Sequence, residues 1–273
     1  MPKTLIIDAN SGIRLREKLG ECWQRWELIK MLSYRDIKVR YTQTSIGMMW
    51  AIINPVISIL LLVFVFNIIV KMDTNGIPPL LFTVSGLCAW NYFSKVVSEA
   101  GTSIVGAQAL VKKIYFPRLV IPVSKAISSL VELVVVLFLL FILMIYYRYP
   151  IDARILLLLP CICLVFFVGL GCGIWVAALT IRFRDFHHIV PVLLRIGMFV
   201  SPVAYSTKLV PSEYRWIVSL NPVTGIIDSF RFVLFKIPLD LNVFMTSVAV
   251  SLLLLVSGII YFVRMEKYIA DII

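Results

Sequence analysis

Six apolar runs decide what this chain can become: Ile46–Val70, Leu80–Ser98, Leu119–Tyr147, Ile155–Ile181, Ile189–Tyr205 and Asn242–Val263. A bilayer's hydrocarbon core, about 30 Å thick, takes roughly 20 apolar residues in a helix to cross. Inside it every backbone N–H and C=O must find a partner within its own segment, which leaves helices as the solution for runs of this length. No stretch between the runs is long enough to hold a core of its own. The composition agrees, with 60% hydrophobic residues, 15% charged and a mean hydropathy of +0.96; soluble domains run nearer half apolar and a quarter charged. The expected fold is an all-α integral membrane protein of six transmembrane helices, with a polar region over 1–45 and the spanning body over 46–273.

The net charge of +11 raises nucleic acid as a partner. The basic residues, however, sit in loops beside apolar runs rather than along one stripe, which is a topology signal and argues for no nucleic acid. Sixteen lysines and arginines fall in the amino-terminal segment, the second and fourth loops and the tail, all on one side of the runs, and seven on the other, with Lys95, Lys125 and Arg195 inside runs. That bias puts both termini in the cytoplasm, and six spans return the chain to its starting side. The first long run follows some forty residues rich in charge, so no cleaved leader is expected and the amino terminus is read as retained. Ahead of it, Leu15, Leu19, Cys22, Trp26 and Ile29 recur at steps of four and three, drawing an apolar stripe flanked by Lys18, Arg25 and Lys30. Such a helix either lies in the membrane interface or packs on the protein's own inner face.

Several chemistries lack their residues. There is no G-x-x-x-x-G-K-[ST] phosphate loop, so no nucleotide site of that kind. The five cysteines have neither disulfide nor zinc spacing, and all but Cys22 lie in apolar runs. His187 and His188 are adjacent, about 100° apart on a helix, with no further histidine to complete a metal site. Gly169, Gly171 and Gly173 sit inside the fourth run; the Gly169–Gly173 pair suits close helix packing, within the bundle or along a dimer seam. An ion-coupled carrier would need a relay of intramembrane acids, and only Glu132 qualifies. An enzyme of lipid-sugar metabolism would need clustered carboxylates or histidines. No catalytic residues, metal or cofactor of this chain are assigned.

The charges inside runs ask for partners. Lys95 and Glu99, four apart, read as a simple pair. Glu132 sits mid-run and reads as paired or functional. Arg195 is either functional or snorkels back to the interface. The aromatics Trp50, Trp90, Tyr92 and Phe93 suit either a core or, beside Asn91, a passage for sugar rings; with Arg195 they are the channel-lining candidates. Tyr146, Tyr147 and Tyr149 suit an interfacial belt. Between the fifth and sixth runs, 206–241 is too polar to cross and too apolar for a solvated loop. A re-entrant or interfacial helix pair would satisfy its backbone.

Four stretches carry a resemblance: "SYRDIKVRYTQTSIGMMWAIINP" (33–55), "LVKKIYFPRLVIPVS" (110–124), "IRFRDFHHIVP" (181–191) and "SPVAYSTKLVP…LNPVTGIIDSFR" (201–231). In order and spacing, over nearly the whole chain, they resemble the type-2 ABC permeases that export O-antigen and related polysaccharides across the bacterial inner membrane. Arg195 departs from the pattern, the fifth span of such permeases being usually uncharged. The resemblance implies a homodimer, two separate ABC ATPase subunits carrying the ATP and magnesium, and an undecaprenyl-diphosphate-linked polysaccharide as cargo. Teichoic acid and capsular polymer permeases are near neighbours. It also implies a gate helix over Ser33–Ser45 and a coupling helix between spans two and three. There Leu110, Val111, Ile114, Tyr115 and Phe116 form an apolar plug, Lys112, Lys113 and Arg118 form charged grips, and Pro117 closes the helix. A smaller ATPase contact falls at Arg182, Arg184 and Asp185, and outer gate helices include Asn221, Pro222, Asp228 and Arg231.

Overall fold

The computed structural model describes residues 15–42 and 47–272. Among these the secondary structure is helical throughout, with no strand. Helices α1 (Leu15–Gln24) and α2 (Trp26–Thr42) precede α3 (Trp50–Leu62), which continues as a wider π-helical stretch over Val63–Ile69. Then come α4 (Pro79–Gly106), α5 (Gln108–Lys113), α6 (Val120–Tyr146), α7 (Leu158–Arg182), α8 (Phe186–Val200), α9 (Arg215–Leu220), α10 (Thr224–Phe235) and α11 (Leu241–Ile272). The expected boundary at residue 45 and the last residues of the expected gate helix fall at 43–46, outside the described residues.

Five helical segments are long and apolar enough to cross a membrane: Trp50–Ile69, Pro79–Gly106, Val120–Tyr146, Ala153–Arg182 and Leu241–Glu266. They correspond to the first, second, third, fourth and sixth predicted runs. The fifth run differs. Its helix, α8, has 15 residues and rises only about 22 Å. It stops at Ser201, where the backbone turns extended and a tight turn over 201–205 folds back.

The bundle is organised around α4, which packs most extensively on α7 and α6, while α7 also packs along α11. Glycines set these distances. A Cβ on Gly173 would sit 2.8 Å from the Ala100 Cβ and one on Gly169 3.2 Å from Val96, both on α4. The Gly169–Gly173 pair therefore serves the bundle of this chain. On another face of α7, a Cβ on Gly171 would lie 2.8 Å from the Leu255 backbone nitrogen of α11. In a bilayer, where lipid tails are as apolar as leucine, such close approach is what holds helices together.

Chain direction defines two ends. The near end collects α1, α2, α5, the start of α6, the end of α7 and the end of α11. The far end collects 70–78, 147–152 and the segment 201–240. The amino-terminal stripe splits across two faces. Cys22 and Ile29 are buried in the chain's own core, while Leu19 and Trp26 are exposed, Trp26 stacking on Trp23 at 5.9 Å between ring centroids.

Candidate functional site

The near-end connector between α4 and α6 begins as predicted and then departs from prediction. Helix α5 ends at Lys113 and Ile114 is extended, so the helix stops well before Pro117. Beyond it Tyr115 is 65% exposed and Phe116 only 6%. Phe116 is part of the chain's own core, and Leu110 and Val111 are half-buried against it. What faces outward is Ile114, Tyr115, Lys112 and Lys113. Arg118 is also committed: its Nη1 donates to the Glu266 carbonyl at 2.6 Å, and Lys18 pairs with the Glu266 carboxylate at 3.5 Å. The connector is thus tied to the end of α11 and to α1. By chain direction the α7–α8 turn lies at the same end, with Arg182, Arg184 and Asp185 exposed and Arg182 over the Phe183 ring at 5.2 Å. His187 and His188 are exposed beside it, and no group that could hold a metal ion is found among the described residues.

Behind the connector, α2 is bolted to α4 and α6. Ser33 Oγ donates to the Ser124 carbonyl at 3.0 Å, and Lys125 pairs with Asp36 at 2.8 Å. Deeper, Arg40 spans Glu99 and Glu132, at 2.5 and 3.0 Å, and Lys95 reaches the same two carboxylates at 3.2 Å each. Lys95 and Glu99 are therefore more than the simple pair the spacing suggested, and Glu132 is paired. Arg40 is not singled out by the sequence, where it is one of the lysines and arginines ahead of the first apolar run. Counting charges gives no signal for it: inside the apolar runs Glu132 is the one acid, against Lys95, Lys125 and Arg195, and Glu99 lies just past the end of its run.

The channel candidates separate. Trp90, Tyr92 and Phe93 are buried: Tyr92 donates to the Ala126 carbonyl at 3.0 Å, Trp90 covers Gly197 of α8, and Trp90 and Phe93 lie 5.5 Å apart. These three are core of this chain, for rings so enclosed have no free face to offer. Trp50 is 42% exposed. It borders a cleft of about 290 Å³ between α3, α4 and α6, with Arg40, Asn54, Ser58, Asn91, Lys95 and Glu132. Arg195 is exposed on α8, with no ion pair among the described residues.

At the far end the gate candidates act as fasteners. Arg231 is 2% exposed, its guanidinium 3.7 Å from the Phe82 ring centroid. It donates to the carbonyls of Val203 (2.7 Å) and Tyr205 (3.1 Å), with Asp228 at 3.8 Å. Asp228 accepts from Thr207 Oγ1 at 2.7 Å. Asn221, just before Pro222, donates to Ser201 Oγ at 2.7 Å and accepts from the Val223 N–H. The 201–207 turn is thereby fixed to α10 and, through Gly86, lies directly on α4.

Residues 27–235 match the ABC-2 type transporter family. The chain belongs to that family. Two similar proteins are O-antigen export system permease proteins RfbA. That of Klebsiella pneumoniae is 22% identical over 264 residues, 96% of this chain and 100% of that protein; that of Myxococcus xanthus is 29% identical over 258 residues, 92% and 98%. The polysialic acid transport protein KpsM of Escherichia coli is 23% identical over 208 residues, 74% of this chain and 79% of that protein. Within this ABC-2 chain the matched segment runs from α2 through the end of α10, so it takes in both the charged bolts of the near end and the fasteners of the far end.

Proposed function

We propose that this chain is the membrane-spanning subunit of an exporter that moves a lipid-linked polysaccharide of the O-antigen type across the bacterial inner membrane. The lipid carrier is undecaprenyl diphosphate, and ATP is hydrolysed on two separate subunits docked at the near end. Two copies of the chain form the transport path. The observation that carries this reading is the similarity to O-antigen permeases along nearly the full length of both chains. A capsular polymer is the second reading, favoured by the similarity to KpsM.

In this reading α8 with the 201–205 turn forms a sixth crossing, which returns the carboxyl terminus to the cytoplasmic side. The exposed face of α8 and that of the first span beyond Ser58, with Leu60, Leu61, Phe64 and Ile68, meet the second copy. The Trp23–Trp26 face of α1 and α2 rests at the lipid interface, and the far-end segment 206–240 forms the outer gate. The ATPase grips Ile114 and Tyr115, with Lys112 and Lys113 beside them, and takes a smaller contact from Arg182, Arg184 and Asp185. Movement of the connector reaches the bundle through Arg118, Phe116 and the bolted α2.

Ile114→Ala with Tyr115→Ala tests the docking, because both side chains are exposed and their loss leaves the core intact. The double variant is expected to reach the membrane at wild-type levels yet fail to co-purify with its ATPase, and polymer export is expected to stop. Normal assembly and export in that variant overturn the assignment.

A further inference from the structure

The cleft between α3, α4 and α6 presents a chemical set that the fold does not use. Asn54 and Ser58 stand one turn apart on α3, one turn beyond Trp50, and Asn91 faces them from α4. Ser58 Oγ is satisfied by the Asn54 carbonyl at 3.0 Å. Neither side-chain amide of Asn54 or Asn91 has a hydrogen-bond partner among the described residues. An amide left against hydrocarbon costs several kcal/mol, so membrane helices turn such groups toward protein, water or a ligand. Trp50 adds an open aromatic face.

We propose that this cleft is a saccharide subsite, in which one sugar ring of the cargo lies on Trp50 and exchanges hydrogen bonds with Asn54 and Asn91. The proposal rests on the export reading above. Three features select a sugar ring over other occupants. A side-chain amide both donates and accepts, which matches hydroxyl groups that do the same. An indole face matches the C–H face of a pyranose in shape and polarity. The cations at the rim are already compensated, Arg40 and Lys95 by Glu99 and Glu132, so a phosphate would meet no free positive charge and two carboxylates. The volume, about 290 Å³, is at the small end of ligand sites and suits a single ring rather than a length of polymer. A helix of a second copy would need small residues to approach this closely, and here the cleft presents an indole and two amides.

The site is tested in the assembled transporter, in cells that make the polymer. A benzophenone amino acid in place of Asn54 is expected to give light-dependent adducts that stain for glycan and vanish when polymer synthesis is blocked. The same group in place of Phe138, on the exposed face of α6, is expected to give none. Adducts at position 54 that contain only a second copy of the chain, or only phospholipid, overturn the proposal. In parallel, Asn54→Leu with Asn91→Leu is expected to lower the export rate about tenfold, the loss of two hydrogen bonds to a neutral ligand. Trp50→Phe, which keeps an aromatic face, is expected to retain most of the rate. Wild-type export from the double variant, without glycan adducts, removes the subsite and leaves the export reading standing. A wild-type chain that exports no polymer with its ATPase removes the export reading itself.

Discussion

The two ends of this bundle are both held by charged groups, but in opposite ways. At the far end one guanidinium, 2% exposed, is locked between an aromatic ring and two backbone carbonyls. Those acceptors belong to the main chain and offer it no alternative arrangement. At the near end Arg40, Lys95, Glu99 and Glu132 keep 21–32% of their side-chain surface exposed, and each lysine or arginine touches both acids. Such a set can exchange partners without stranding any member. The far end is built as a fixed point and the near end as a joint that tolerates displacement.

Removing the fixed point should have the largest effect. Arg231→Met keeps a long unbranched side chain but leaves the Val203 and Tyr205 carbonyls without their donor. A loss of about 3 kcal/mol or more is expected, read as a drop in Tm of the purified protein in detergent. Arg231→Lys should rescue little, because an ammonium cannot fork to two acceptors while lying flat on Phe82. A stability equal to wild type in the lysine variant would show that the fork geometry is not what fixes this end.

The joint should yield less. Arg40→Gln leaves both acids with Lys95, so a loss of only about 1 kcal/mol is expected for this partly exposed network. Adding Lys95→Gln strands both carboxylates, and the two changes together should cost more than their sum. Raising the salt concentration should shrink the near-end effects and leave the Arg231 effect unchanged. Strict additivity at the near end would mean that the four groups do not share partners in the working protein.

How much of this was legible in the sequence follows from which forces are local. Bilayer thickness acts on every spanning segment alike, so five of six runs became long helices at nearly the predicted positions. The least apolar of them, α4, is the most buried and α3 is the least buried. Hydropathy reads contact with lipid, so a helix sheathed by other helices looks weaker in sequence than its central place warrants. The short fifth helix escaped because Tyr205 and the residues before it are apolar for a different reason: they line a turn pressed on α4. Pairings were the least legible part. Arg40 meets Glu99 and Glu132 across 59 and 92 residues of sequence, and no local period encodes that. Tyr115 and Phe116 looked like one aromatic plug because adjacency in sequence does not say which ring the fold encloses. Arg231 entered as an outer-gate residue through the family resemblance, but its ring and carbonyl partners come from α4 and the 201–205 turn.

A second far-end ion pair separates charge from burial as the source of rigidity. Asp152 begins the turn into α7, where its Oδ1 accepts from the Ala153 N–H at 2.7 Å, and Lys236 at the end of α10 reaches it at 2.9 Å. Both side chains are about half exposed. The hydrogen bond from Lys236, then that from the Ala153 N–H, hold the Asp152 carboxyl below its ordinary value of 3.8. A carboxyl whose pKa is depressed by folding contributes stability above its unfolded value and loses it as pH falls through the folded value. Asp152→Asn should therefore cost slightly at neutral pH, and the cost should disappear only in strong acid, below the ordinary carboxylate range. The measurement is the Tm difference between variant and wild type along a pH series at two salt concentrations. A small, salt-sensitive difference at neutral pH attributes far-end rigidity to the enclosure of Arg231. A loss approaching that of Arg231→Met would instead make charge pairing as such the fastening at both ends, and the contrast between fixed point and joint would fall.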